Sequence, residues 1–186
     1  MIEFAIVAPL LGLLLAGTVE FGMAWRDNLT VSSGSRAAAR VVSNLGDDPQ
    51  ADYEALLTLE AGLSALDYAT IEGVLIYDAS ATSGNPPAAC FDGNGDPQSS
   101  ASANCNYYSG TMIDGVIAKA ANFSSGTSCG LWDQYFCPVT ERSTSQTTLT
   151  DVGIWVRVDR GWFTKVFPGS GLTIEDQTVM RVEPTS

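Results

Sequence analysis

Histidine is absent from this 186-residue sequence, and only 16% of its residues are charged. The missing imidazole removes the commonest general base and the commonest ligand of transition metals, so hydrolytic triads of the usual kind are excluded. Basic residues are also few, with nine Lys and Arg against 21 Asp and Glu and a net charge of −12. Such a chain repels the phosphates of nucleic acids, and we expect no nucleic-acid partner.

Cysteine is scarce as well. The four cysteines all lie in a polar stretch between residues 90 and 137, and none of them forms a CxxC pair. A zinc site would require all four thiolates at unfavourable spacing, so two disulfides and an oxidising location outside the cytoplasm are expected. Several pairings are possible, and we favour the sequential one because each bridge then closes a short local loop. The predicted bridges are Cys90–Cys105 and Cys129–Cys137.

An apolar run without any charged residue covers residues 4–19 and reads FAIVAPLLGLLLAGTV. It is short for a membrane-spanning helix, which needs about 20 apolar residues, but longer than most signal-peptide cores. The basic stretch and the small-residue cleavage site that flank a signal peptide are missing, so we expect this segment to be retained as an anchor. Arg26, the first basic residue, follows on its C-terminal side.

Helical periodicity continues beyond the apolar run, and no proline occurs between Pro9 and Pro49. Gly46 is expected to cap the helix, with Asp48 as the N-cap and Pro49 as the first residue of a second helix. We therefore predict one helix over about residues 2–45, roughly 65 Å long. Its first half is apolar on all sides, and its second half is amphipathic.

Small residues recur within the apolar half of this helix. Ala8, Gly12 and Ala16 stand four residues apart, a spacing that lets helices approach one another closely. Pro9 removes one backbone hydrogen bond and is expected to kink or loosen the helix. The alternative is an ordinary membrane anchor in which glycine is merely tolerated.

Two carboxylates, Glu3 and Glu20, lie on the apolar helix. A charged side chain at mid-membrane costs about 2.5–3.5 kcal/mol on insertion scales, and less near an interface. Glu3 is expected to meet a cation from a neighbouring copy of the chain, for which an N-terminal ammonium at the same depth is the obvious candidate. Glu20 is expected either to pair with Arg26 of the same or a neighbouring helix, or to lie in the headgroup layer.

The rest of the chain predicts an α+β head, because a long helix is followed by a small antiparallel sheet. We divide the chain into an anchor and filament-core helix, residues 1–26, and a head, residues 27–186, into which the helix continues to about residue 45. A second helix is expected over residues 49–66, strands over 71–77, 152–158 and 172–182, a loop over 79–110, a short helix or a strand over 111–121, and one helical turn over 162–167.

Three oxygen-bearing side chains are spaced like the start of a calcium loop: Asp92, Asn94 and Asp96. The pattern departs from a calcium loop where Pro97 replaces the expected glycine and Ala103 stands at the position of the bidentate glutamate. Calcium is therefore a weak candidate. The alternative is a polar turn closed by the first predicted disulfide, and we expect no resident metal or cofactor.

Aromatic side chains cluster inside the second predicted disulfide loop, at Trp132, Tyr135 and Phe136. They form either an exposed adhesive or intersubunit patch or part of the core of the head. Neither Lys119 nor Lys165 lies in a recognisable Ser–Lys motif. We therefore predict that the chain is not an enzyme.

The N-terminal helix carries the step Glu3-Phe4-Ala5, then an apolar run that contains Pro9, and then the step Glu20-Phe21-Gly22. This pattern resembles the N-terminus of TadE/TadG-like pilins, a branch of the type IV pilin-like proteins made by tight-adherence systems. The family continues with a small-residue, Arg-bearing helix, matched by residues 35–42, and often ends in a strand carrying Met-Arg-x-Glu, matched by residues 180–183.

The resemblance implies a type IV pilin-like fold, in which one long N-terminal helix packs on a small antiparallel sheet with disulfide-bridged loops. It also implies a prepilin with a basic leader, cleaved by a prepilin peptidase and extracted from the inner or cytoplasmic membrane by pilus assembly machinery. Glu3 takes the place of the pilin glutamate that neutralises a neighbour's N-terminal amine, although that glutamate is generally the fifth mature residue and here it is the third. The residues expected to act in subunit assembly are Glu3, Phe4, Pro9, Gly12, Glu20 and Arg26.

These features together predict a structural subunit of an extracellular pilus filament that serves adhesion or surface attachment. Its partners would be other copies of itself in a helical filament, and the membrane before assembly. The alternative is a membrane-anchored minor pseudopilin that primes the assembly of a pilus or secretion system without forming the bulk filament. An anchored extracytoplasmic enzyme or binding module is a third possibility.

Overall fold

The computed structural model describes residues 2–67, 69–165 and 167–184, and for residues 2, 3, 5 and 6 it describes the backbone alone. The predicted α+β class is confirmed, with a long N-terminal helix, an antiparallel sheet and two disulfides. The helices are α1 (Ile2–Leu45), α2 (Ala51–Leu63), α3 (Gly110–Ile113) and α4 (Pro138–Glu141), and the strands are β1 (Ala69–Asp78), β2 (Cys105–Ser109), β3 (Asp151–Gly161) and β4 (Gly171–Arg181).

The long helix α1 has the predicted bounds and includes Pro9. It ends at Leu45 and is followed by Gly46, whose φ of +59° is a left-handed conformation that glycine adopts at low cost. The Gly46 N–H donates to the carbonyl of Val42 at 2.9 Å, which satisfies one of the last carbonyls of the helix. The predicted cap is therefore confirmed.

The second helix begins later than predicted, at Ala51, so Pro49 is not its first residue and Asp48 is not its N-cap. Asp48 closes a turn instead. Its Oδ1 accepts from the Gln50 N–H at 2.8 Å, and its carbonyl accepts from the Ala51 N–H at 3.0 Å. An aspartate that bonds its own backbone two residues on competes with helix formation, which explains the delayed start.

The four strands form one antiparallel sheet in the order β2-β1-β3-β4. On the central strand β3, the residues with even numbers from Val152 to Val158 face α1 and α2 and join the main core. Trp155, on the opposite face, joins a second and smaller core with Leu75 and Tyr77. Both faces of β3 are therefore buried, and the hydrophobic alternation along it is weak.

The second face of the sheet is covered by the segment between β1 and β2, which the disulfide Cys90–Cys105 closes into a loop. Within this loop the Phe91 ring meets the Trp155 ring edge-on, at 5.4 Å between centroids. The head thus has three layers: helices, sheet and a disulfide-closed loop.

The two long helices cross closely at Gly34. A Cβ added to Gly34 would lie 3.2 Å from Leu63 Cδ2, and one added to Gly62 would lie 3.4 Å from the Gly34 Cα. The small residues let α2 approach the C-terminal half of α1, where Val31, Ala38 and other core side chains are buried.

Three local predictions in the head are wrong or need sharper bounds. The segment predicted as a loop over 79–110 contains β2, which pairs with β1 in antiparallel register. Residues 110–122 form α3 and then a 3-10 helix, so the helical alternative is the one observed. The described residues of 162–167 form bends without a helical turn. For β2, pairing with β1 across the chain decides the conformation, and local propensity does not.

Candidate functional site

The N-terminal half of α1 extends from the head with its apolar side chains uncovered. By length and composition α1 is able to cross a membrane, and only 6% of its most apolar window is buried inside the molecule. An isolated helix keeps its backbone hydrogen bonds in lipid, so this half suits a bilayer or a bundle of similar helices. The exposed apolar side chains before Glu20 are Phe4, Val7, Leu10, Leu11, Leu13, Leu14, Leu15 and Val19, and beyond Glu20 Phe21 and Trp25 are exposed as well.

The assembly residues predicted in this half lie on the uncovered part of the helix. Phe4 is 76% exposed, Pro9 is exposed within the continuous helix, and a Cβ added to Gly12 would meet nothing within 4 Å. The side chain of Glu3 lies outside the described part of the chain, so its predicted partner stays a prediction. The structure thus places Phe4, Pro9 and Gly12 where a neighbouring molecule or lipid has access to them.

Glu20 is the first described side chain of α1 that is buried, with 3% of its surface exposed. Its Oε2 accepts from Arg160 Nη1 at 3.1 Å. Its Oε1 accepts from the backbone N–H of Thr164 at 2.5 Å and from the Thr164 hydroxyl at 2.9 Å. Both carboxylate oxygens are therefore occupied by groups of the chain's own head, which lie at the end of β3 and just after it.

The predicted pair of Glu20 with Arg26 on the same helix is therefore wrong. Six residues correspond to about 240° around an α-helix, so the two side chains leave α1 on different faces. Arg26 is largely exposed and lies 3.4 Å from Asp27 and 3.6 Å from Asp67. Its Nη2 also donates to the carbonyl of Ala65 at 3.4 Å. The alternative, in which Glu20 lies at the level of the headgroup layer, stays a prediction.

Arg160 joins Glu20 and Asp27 into one buried ion cluster at the base of the head. Its Nε donates to Asp27 Oδ2 at 2.7 Å, and its side chain is completely buried. Glu20 and Asp27 stand seven positions apart, so they share one face of α1 two turns apart. The guanidinium fork of Arg160 is able to bridge them. This cluster ties the uncovered half of α1 to the sheet.

Removing one partner from such a cluster leaves an uncompensated buried charge, which typically costs about 3–5 kcal/mol. We call the uncovered part of α1 before Glu20, residues 2–19, the bare half. The cluster therefore fixes where the bare half ends and the head begins. It was not predicted, although β3 carries a signal for it. Arg160 follows Val156 and Val158 at period two on the core face of the strand, and a charged residue at a core position requires a buried partner.

A second buried ion pair lies inside the head, between Asp52 of α2 and Arg142. Asp52 Oδ2 also accepts from the Tyr108 hydroxyl at 2.7 Å and from Asn106 Nδ2 at 3.2 Å. Burial raises the pKa of the Tyr108 phenol well above its ordinary value, and the nearby Asp52 charge adds to the effect. The hydroxyl thus stays protonated and donates to the carboxylate.

The loop closed by the disulfide Cys129–Cys137 is attached to this network. Asn106 Oδ1 accepts from the backbone N–H groups of Tyr135 and Phe136, each at 3.0 Å. Of the aromatic side chains in the loop, Phe136 is buried, Trp132 packs partly buried against the core and Tyr135 is 38% exposed. The cluster is mainly part of the core, which is one of the two interpretations of the sequence.

Both disulfides follow the sequential pairing, and no cysteine is free among the described residues. The weak calcium candidate lies inside the first disulfide loop. Asp92 Oδ1 accepts from the backbone N–H groups of Asn94 at 2.8 Å and Asp96 at 2.9 Å, and the Asp96 and Asn94 backbone bonds lower the pKa of Asp92. Asp96 lies 3.6 Å from Arg157.

No group of three or more acidic, cysteine or histidine side chains converges on a common point within the described ranges. The Asp92 carboxylate stabilises a polar turn in this arrangement, which is the alternative interpretation of that segment.

Comparison with known protein families gives a match over the N-terminal segment that forms most of α1. The family of TadE-like proteins matches residues 1–40. The N-terminal segment is TadE-like. This confirms the family resemblance inferred from the Glu-Phe-Ala and Glu-Phe-Gly steps. The matched TadE-like segment comprises the bare half of α1, the ion-cluster residues Glu20 and Asp27, and part of the packed half. Comparison with curated proteins and with solved structures finds no match.

Proposed function

We propose that this protein is a structural subunit of an extracellular pilus filament that serves surface attachment. Before assembly the bare half of α1 anchors the chain in a membrane, and in the filament it packs among the same helices of neighbouring subunits. The observation that carries this proposal is the run of uncovered apolar side chains on a long helix whose sequence is TadE-like. Water is a poor environment for such a surface, and a lipid bilayer or a helix bundle is a favourable one.

The assembly residues take distinct roles under this proposal. Gly12 provides a thin position at which two helices approach closely, and Phe4 contributes apolar contact area at the tip. Pro9 lacks an N–H and loosens the helix where it must adapt to neighbours. Glu3 meets the N-terminal amine of an adjacent subunit. Glu20 acts indirectly, since it holds the anchor to the head through Arg160.

The division of the chain into an anchor at residues 1–26 and a head at residues 27–186 belongs to the same proposal, with the Glu20 cluster as the junction. The pilus assembly machinery and a prepilin peptidase are the partners that a TadE-like subunit requires. No cofactor enters this function, and the role is structural.

Electron microscopy and mass spectrometry of sheared cell-surface material test the proposal. We expect fibres in which this chain is the dominant protein. Recovery of all of the chain in the membrane fraction, with fibres that lack it, would contradict the filament role. That result would favour a minor pseudopilin that primes assembly.

A Glu3→Ala variant tests the charge-pairing role separately. We expect a large loss of fibres with the chain retained in the membrane, because the neighbour's amine loses its counter-charge in an apolar environment. Glu54→Ala, at an exposed head position, serves as the matched control and should assemble normally. A normal fibre yield from Glu3→Ala would refute the pairing and leave the filament role intact.

A further inference from the structure

Four residues in the segment after β3 form an aromatic and basic surface, in which Trp162 is partly buried and the other three are exposed. They are Trp162, Phe163, Lys165 and Phe167, which we call the collar. The rings of Trp162 and Phe167 pack against each other at 5.4 Å between centroids. Phe163 and Phe167 are 47% and 36% exposed. The Trp162 Nε1–H donates to the Pro168 carbonyl at 3.3 Å, so the indole is held in place by its polar end.

The collar lies beside α1 at the level where the bare half ends. Thr164, in the middle of the collar, donates to Glu20 through both its backbone and its hydroxyl. On the preceding turn of the helix, a Cβ added to Gly17 would lie 3.7 Å from the Phe167 ring. The segment that carries the collar is therefore attached to the helix by two hydrogen bonds to Glu20, and the Phe167 ring lies next to Gly17.

The length of the bare half determines how deep in the bilayer the collar would lie. Residues 2–19 of an α-helix measure about 27 Å at 1.5 Å per residue. The hydrocarbon core of a bilayer is about 30 Å thick. When the bare half spans the core, Gly17 and Glu20 reach the far boundary of the hydrocarbon, and the collar lies in the headgroup region.

The chemistry of the collar suits that boundary. Tryptophan and other aromatic side chains are enriched at the interface, where an apolar ring meets lipid and a polar end meets water. Lys165 is exposed, and it is one of only two lysines in a chain of net charge −12. A cation at this point is able to contact lipid phosphate, whereas the rest of the acidic head is repelled by an anionic surface.

We infer that the collar is a lipid-binding surface that lies in the membrane interface and fixes the depth of the anchor before assembly. The occupant is the headgroup and upper acyl region of the bilayer on the side of the head. The link from Thr164 to Glu20 makes the collar and the helix one rigid unit, so the depth of one determines the depth of the other. This inference rests on the proposed membrane anchoring of the bare half of α1.

Depth-dependent fluorescence quenching tests the collar in the full-length chain. The chain has four tryptophans, of which Trp25 is 60% exposed on α1 and Trp155 is buried. A Trp25→Phe variant in phosphatidylcholine vesicles is compared with a Trp25→Phe/Trp162→Phe variant, and the difference isolates the Trp162 signal. Vesicles carry a spin label either at the headgroup and upper acyl carbons or near the end of the acyl chain. We expect about threefold stronger quenching of Trp162 by the shallow label than by the deep one.

A matched variant separates this inference from the proposed function. Leu11→Trp, placed at the middle of the bare half in the background that lacks Trp25 and Trp162, should be quenched more strongly by the deep label. Quenching of the Leu11→Trp variant without any quenching of Trp162 overturns the collar and leaves the anchor standing. If Trp162 is shielded only in assembled fibres, its occupant is another copy of the chain, and the lipid-binding inference is wrong. If neither position is quenched, membrane anchoring fails and the collar fails with it.

Discussion

The two halves of α1 belong to one uninterrupted helix and yet face different surroundings. The N-terminal half exposes Leu14 and Leu15 by 61% and 69%, whereas the C-terminal half buries Val31 and Val42 completely against the head. The helical backbone satisfies its own hydrogen bonds in water, lipid or protein, so it does not determine where the exposed half ends and the buried half begins. The boundary is set by side chains, at Glu20 and Asp27.

The comparison shows how one helix serves in two different environments. In the bare half, apolar side chains carry the interaction with lipid or with neighbouring subunits, and small residues tune how closely a neighbour approaches. In the packed half, small residues such as Gly34 admit α2, and polar side chains lock the helix to particular strands. Ser35, for example, donates to Asp176 of β4.

Arg160→Met is the change with the largest expected effect, because it breaks the junction between the halves. Glu20 would remain as a buried carboxylate without a cation, and Asp27 would keep only the largely exposed Arg26, 3.4 Å away. We therefore expect the free energy of unfolding to fall by about 3–5 kcal/mol. Urea denaturation of the full chain in detergent micelles, followed by tryptophan fluorescence, measures the loss.

The control for this experiment is Arg40→Met, an exposed position on the packed half, which should stay within about 0.5 kcal/mol of the wild type. A triple variant, Glu20→Gln, Asp27→Asn and Arg160→Met, should regain most of the stability because no buried charge is left unpaired. Equal stability of Arg160→Met and the wild type would show that the cluster does not hold the helix to the sheet.

Two glycine substitutions test the contrast between the two halves of α1, and their expected effect on stability is intermediate. Gly34→Leu overpacks the crossing with Leu63 and should lower the free energy of unfolding by about 1–3 kcal/mol. Gly12→Leu adds the same side chain where no atom lies within 4 Å, and head stability should change by less than about 0.5 kcal/mol. Equal losses from both substitutions would mean that the bare half also supports the fold of the head.

The smallest effect is expected at the far end of the packed half, where an exposed ion pair lies near α1. Arg181 Nε donates to Asp151 Oδ1 at 2.7 Å, and the Ser43 hydroxyl of α1 donates to the Arg181 carbonyl at 2.5 Å. The hydrogen bond from Arg181 lowers the pKa of the Asp151 carboxyl. Arg181→Gln should lower the free energy of unfolding only slightly near neutral pH, because the pair is partly solvated.

The pH dependence of that loss has a defined sign. A carboxyl whose pKa is lower in the folded state stabilises the protein above its unfolded pKa of about 3.9, and this contribution disappears as the pH falls through the folded value. Thermal unfolding of the wild type and Arg181→Gln at several pH values should therefore give curves that converge below about pH 4. Curves that stay equally far apart in acid would exclude the Asp151 charge as the cause.

Much of the secondary structure followed from local patterns. The bounds of α1, its cap at Gly46 and the positions of β1, β3 and β4 are signalled by periodicity and by residues that act within one turn. The strand β2 was missed because its CNYYS sequence is short and polar. It forms only because β1 offers it an edge and the Cys90–Cys105 bridge holds it there.

The junction was predicted only in part. Glu20 was singled out because a carboxylate on an apolar helix demands a partner, but its partner Arg160 lies 140 residues away in the sequence. No local spacing connects the two, and helical geometry excludes the nearer Arg26 as a partner within the same helix. The collar was likewise invisible in sequence, since its residues gain meaning from their contacts with Gly17 and Glu20.

The sequence by itself determined that one long helix begins the chain, that its first half is apolar on every side and that its pattern is TadE-like. Hydrophobic periodicity and the residue steps at Glu3 and Glu20 depend only on neighbours along the chain, so they are legible without a fold. Tertiary structure alone decided that Glu20 belongs to the head, where the bare helix ends and which loop lies beside that end. These features depend on contacts between residues that are distant in sequence. Such contacts form only when the sheet has brought Arg160 and Thr164 against α1.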